Sequence, residues 1–290
     1  MYLIAVIKIL SEYNVAKITN NMVRIVSIYV TFLYFIYMQF IFPPKIYGNS
    51  ILVKSEILGA IVTIVFVISV MGKWNYENPK ILVVSDGIPI KEYSIVCLMI
   101  ILIVGWGWLH SDGSLLDNIL KYRYTPINFS PSNLLVSVEA GAAEETVFRY
   151  GILTILLYKF RNSILTSRGK IIFVLLIDAC LFGFGHLLNV VSGESMIACL
   201  FQAFDATISG FVFASIYLYT EQFLFPVIFH FLYDLMGAGF SLITFIDVID
   251  LPFSSVTGYS GIRYIIWILV IVFMLTGGRY RKIKENFEKM

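Results

Sequence analysis

Three short stretches of this sequence place acids, imidazoles and a guanidinium at spacings that suit chemistry. The first is EETVFR, Glu144 to Arg149. The second, FGFGH, ends on His186. The third, HFLYD, opens on His230 and closes on Asp234. All three sit in strongly apolar surroundings, with Asp178, Asn189, Gln202 and Asp205 nearby in the chain. A charge at mid-bilayer costs at least about 2.5–3.5 kcal/mol on insertion scales, so charges in such places mark function by default. Helical geometry then separates the two glutamates. At about 100° per residue, Glu145 and Arg149 lie only about 40° apart around the axis and can pair on one face. Glu144 lies about 140° from Arg149 and is left to face a cavity. A carboxylate without its own cation is suited to take a proton from water as a general base.

Each feature alone has a plainer reading. A Glu–Arg pair within one helix can serve only to neutralise itself, and a single intramembrane His often makes one helix–helix hydrogen bond. His110, in a loop at a predicted span end, takes that plainer reading. Two His, two Glu and an Asp on three helices favour a shared interior site instead. A proton relay in a transporter would use the same residue types, but the sequence shows neither the broken helices nor the inverted repeats of that class.

Such residues need membrane-crossing helices to hold them. The 290 residues are 59% hydrophobic and 14% charged, against about 45–50% and about 25% in typical globular chains. A span needs roughly 20 mostly apolar residues. The pattern predicts spans near Ile25–Phe42, Ile57–Met71, Tyr93–Leu109, Asn133–Tyr158, Ile171–Val190, Ser195–Tyr219, Gln222–Ile246 and Tyr264–Thr276. The expected fold is therefore all-α, a polytopic membrane bundle of about eight transmembrane helices. Trp74, Trp106, Trp108 and Trp267 fall near proposed span ends, where such rings anchor at the interface. With both termini cytoplasmic, fifteen of the 21 Lys and Arg lie inside, five lie outside, and Arg149 lies within a span. That asymmetry supports the orientation. The opening run MYLIAVIKIL lacks the marks of a cleaved leader, so the first span is expected to act as the insertion signal. The polar loop Ser111–Ser132 is expected to cap the extracellular side. Cys97, Cys180 and Cys199 have no metal-type spacing and read as free thiols. A net charge of +2 gives no reason to expect nucleic acid.

The three stretches together resemble the motifs of the CAAX-protease and bacteriocin-processing family of intramembrane proteases. EETVFR is similar to its first motif, FGFGH to its second, and HFLYD to its third, in that order on separate apolar helices. The resemblance covers Asn133 to Met236. It departs where Tyr150 precedes Gly151, since relatives often place Gly directly after the motif arginine. It implies a protease core at 133–246, an N-terminal membrane region at 1–132, and a last span with a basic cytoplasmic tail at 247–290. It implies an endopeptidase that cleaves a membrane-associated protein or peptide in the plasma membrane of a prokaryote. Glu144 would activate water beside His186. Glu145 and Arg149 would hold the helix, and His230 with Asp234 would bind or polarise the scissile carbonyl. Either a divalent metal such as zinc, held by His186 and His230, or no cofactor at all is compatible with that set. A non-catalytic immunity or regulatory protein of the same fold is the alternative. Depth along the helices is a separate check. At about 1.5 Å per residue, Glu144 and His186 lie roughly 20–25 Å from their cytoplasmic span ends and His230 roughly 12 Å, a mismatch of about 10 Å.

Overall fold

In lipid, every backbone N–H and C=O must be satisfied within its own segment, which leaves long apolar runs one arrangement, the helix. The computed structural model describes residues 15–41, 57–81, 88–108, 130–165, 167–237 and 253–289, and among them all regular structure is helical. The helices are α1 (Asn21–Ile41), α2 (Ile57–Lys73), α3 (Ile90–Trp108), α4, α5 (Ser167–His186), α6 (Met196–Thr220), α7 (Leu224–Gly237), α8 (Phe253–Met274) and α9 (Gly277–Lys289). Helix α4 begins as Pro131–Glu139, widens through π-type turns at Ala140–Glu144 and Thr146–Leu153, and ends as Thr154–Phe160. Ser130 caps its start by accepting the Asn133 amide at 3.2 Å. His110, the side chains of Trp106 and Trp108, most of the 111–132 loop and the outer part of the seventh predicted span lie outside the described residues.

Apolar stripes face outward, as lipid requires. Val23, Val26 and Val30 are exposed on α1, Leu58, Ile61, Val65 and Ile68 on α2, and Ile265, Ile268, Leu269 and Val272 on α8. That spacing is the amphipathic period turned inside out. Two described helices are long and apolar enough to cross a membrane, α5 with its continuation to Ser192, and α6. A third candidate is the pair formed by the end of α8 and α9, which bends by 68°. Helix α4 is not among them because it carries Glu139, Glu144, Glu145 and Arg149. Trp267 corrects an expectation. It is 1% exposed and packs edge-on against Phe213 and Tyr233, so it belongs to the core rather than to the interface.

Two glycines bring the charged helices together. A Cβ on Gly183 of α5 would stand 2.4 Å from the Ala203 carbonyl oxygen on α6. A Cβ on Gly141 of α4 would stand 2.8 Å from the Val227 carbonyl oxygen and 3.0 Å from the Phe231 nitrogen on α7. Gly141 lies three residues before Glu144, and Phe231 directly follows His230, so this contact sets the distance between the two functional stretches. A Cβ on Gly151 would stand 3.3 Å from Ile28 of α1 and 3.4 Å from Val67 of α2, so close packing is kept one residue after the usual position. Forcing side chains into such contacts typically costs about 1–3 kcal/mol. Gly183→Ala and Gly141→Ala are therefore expected to lower the melting temperature in detergent. Gly72→Ala, on α2 with nothing within 4 Å, is the control and should be neutral or slightly stabilising. Equal melting temperatures for all three variants would remove the close-approach account.

The turn from α6 into α7 is held from three sides. Glu221 adopts a left-handed conformation at the end of α6, and the Phe223 amide donates to the Lys80 carbonyl at 2.9 Å. Asn286 of α9 donates to the Leu218 and Tyr219 carbonyls at 2.8 and 3.0 Å, which satisfies the open end of α6. These contacts fix where α7 starts and hence where His230 stands.

Candidate active site

Arg149 organises the interior charges. Its Nε donates to Glu145 Oε2 at 2.8 Å, and its Nη1 donates to Asp178 Oδ2 from α5. All three side chains are fully buried. The Phe182 and Phe148 rings lie 5.2 and 6.0 Å from the guanidinium carbon, a favourable placement for a desolvated cation. One cation thus serves two carboxylates, and the pairing of Glu145 with Arg149 follows their separation by four residues. The sequence placed Asp178 in a span but gave it no role. The signal was present, since a carboxylate buried in lipid needs a cation.

The other oxygen of Glu145, Oε1, accepts from Arg149 Nη2 at 3.4 Å and also holds the third stretch. His230 Nδ1 lies 2.9 Å from Glu145 Oε1. Glu145 also accepts from Arg149, so it acts as an acceptor-only carboxylate, and the Nδ1 proton of His230 points to it. That leaves Nε2 as the working nitrogen. Nε2 stands 3.4 Å from Asp234 Oδ2 and 3.7 Å from Glu144 Oε2. His230 is thus held at both nitrogens by side chains from α4 and from its own helix.

Glu144 differs from its neighbour in every respect that matters. Its Oε2 is buried and has no hydrogen-bond partner among the described residues. The side chain retains 16% exposure and Asp234 retains 32%, whereas Glu145 has none. The two adjacent glutamates are thus sorted into one that holds the scaffold and one that stays partly exposed. His186 closes the group from α5. Its ring lies 5.3 Å from Phe182, whose ring lies 5.5 Å from His230. The structure joins Glu144, Glu145, Arg149, His230 and Asp234 in one contact network, and His186 shares Phe182 with His230 as a ring neighbour. His230 comes six residues after the start of α7 at Leu224, yet stands 3.7 Å from Glu144 far inside α4, so the unequal distances from the helix ends do not keep the two apart.

The segment that carries this arrangement is similar to a known family. Residues 126–236 match the family model described as Rce1-like, type II CAAX prenyl endopeptidase Rce1-like. The match covers less than half of the chain and marks this segment as similar to that family. It contains every residue of the cluster, and the segment first delimited by the motifs, 133–236, falls inside it. No curated protein and no solved structure gave a significant match.

The same residues were weighed as metal ligands. The donor types suit zinc, but their placement does not form a cage. Among the described residues, no three His, Cys, Asp or Glu side chains converge on a point that an ion could occupy. His230 Nδ1 is already committed to Glu145, and no step below runs through a metal.

Proposed function

We propose that this protein is an intramembrane endopeptidase that hydrolyses a peptide bond in a membrane-associated protein or peptide. The observation that carries this reading is the buried, unbonded oxygen of Glu144, 3.7 Å from His230 Nε2. Glu144 takes a proton from water, and the hydroxide attacks the scissile carbonyl carbon. The C–N bond then breaks, and the proton held by Glu144 passes to the departing amine. Protonated at both nitrogens, His230 donates from Nε2 toward the scissile carbonyl oxygen, while Asp234, which only accepts, orients that imidazolium and the attacking water. Glu145, Arg149 and Asp178 hold His230 in register. The family description makes prenylated peptides ending in a CAAX sequence the first substrates to try; pheromone and bacteriocin precursors come next. The test is purified protein in detergent with such peptides, read by mass spectrometry for new termini. A chelator series runs alongside. Activity indifferent to chelator is expected, and activity lost to chelator and restored by zinc would overturn the metal-free mechanism.

The same proposal sets the protein in the membrane with about eight spans and both termini cytoplasmic, supported by the fifteen-to-five split of basic residues. A reporter fused after Lys289 should read out as cytoplasmic, and an extracellular readout would sink this topology.

A further inference from the structure

His230 is held on its faces as well as at its nitrogens. Phe213 of α6 stacks on the imidazole with ring centroids 5.4 Å apart and planes inclined by 29°. Phe182 of α5 meets the same ring from another side, at 5.5 Å and 86°. Gly210, one turn before Phe213, makes room for this: a Cβ there would stand 2.7 Å from Phe182 Cδ1. Phe213 itself is 1% exposed and is braced edge-on by Trp267 at 6.2 Å. Helix α6 therefore offers His230 a rigid flat wall, and Phe213 lies outside all three motif stretches.

The wall matters because the ends of an imidazole are not equivalent. The χ2 torsion of a histidine is broad, and the Nε2 contacts, at 3.4 and 3.7 Å, are longer than the 2.9 Å contact at Nδ1, so without a wall the ring can rock or turn over. Turning over would move the Nδ1 proton away from Glu145 and take Nε2 off the Glu144–Asp234 side. We infer that Phe213 is a positioning residue, whose ring fixes the plane of His230 so that Nδ1 stays on Glu145 and Nε2 stays on the reactant side. Its effect on rate rests on the peptidase reading above; its effect on the ring does not.

The chain has three histidines, His110, His186 and His230, which makes a ¹⁵N-histidine NMR spectrum of the full-length protein in detergent simple to assign. In the parent, the Nδ1–H of His230 should give a downfield, hydrogen-bonded signal that is absent from His230→Gln. In Phe213→Leu that signal should be lost or exchange-broadened, and in Phe213→Tyr, which keeps the stack, it should return. With a peptide substrate, kcat of Phe213→Leu should fall about 10- to 100-fold, as expected for a displaced catalytic group, with KM changed by less than about threefold. Phe213→Tyr should recover most of kcat. Phe213→Met serves if the leucine variant does not fold. An unaltered Nδ1–H signal in a folded Leu or Met variant overturns the inference, as does an unaltered kcat. If the parent cleaves no peptide, the peptidase reading fails, while the NMR signal still decides whether Phe213 sets the ring.

Discussion

Arg149→Met is expected to lower the folded yield and the melting temperature as well as activity. In the parent, one guanidinium neutralises Glu145 and Asp178, and none of the three side chains is exposed. Removing it leaves two carboxylates uncompensated in the interior, and breaking a buried pair by deleting one partner typically costs about 3–5 kcal/mol. Total stabilities are typically only about 5–15 kcal/mol, so the loss should show directly as aggregation during purification. Neutralising the stranded carboxylates as well, with Glu145→Gln and Asp178→Asn, should recover part of the melting temperature but not the activity. An Arg149→Met protein as stable as the parent would show that the buried network does not hold the fold.

Glu144→Gln is expected to behave in the opposite way, keeping the fold and losing the reaction. The substitution preserves shape, and Glu144 Oε2 makes no hydrogen bond among the described residues that the amide would break. What disappears is the base. Loss of a general base typically costs about 10²–10⁴-fold in rate, so kcat should fall by that factor while the melting temperature stays close to that of the parent. Glu145→Gln, one residue away, should instead lower stability, since its carboxylate accepts from both Arg149 and His230. A contrast of this kind between adjacent glutamates is hard to obtain from a purely structural cluster.

The parts of this site that were legible in the sequence are those set by local geometry. A separation of four residues puts Glu145 and Arg149 on one face whatever else the helix touches, and the structure keeps them paired. The order of the three motif stretches told which helices carry reactive groups. What could not be read depends on how helices pack against one another. Nothing in the spacing says that Asp178 faces Arg149, because those residues meet across α4 and α5. The π-type turns around Glu144 give no periodic signal, although the small residues Ala140, Gly141, Ala142 and Ala143 permit the close approach of α7. The unequal depths of Glu144 and His230 conflict only if span ends are level and helices upright, and the two side chains stand 3.7 Å apart. Trp267 misled for a related reason, since position near a span end does not reveal whether a ring points to headgroups or into a bundle.

The claim that most needs testing is that Glu144 drives peptide hydrolysis. The direct measurement is cleavage of a prenylated CAAX peptide in H₂¹⁸O by parent and Glu144→Gln proteins, both shown to be folded, with products weighed by mass spectrometry. The account predicts that the parent releases a fragment whose new carboxylate carries one ¹⁸O, and that Glu144→Gln releases it about 10²–10⁴ times more slowly. Cleavage by Glu144→Gln at the parental rate would contradict it.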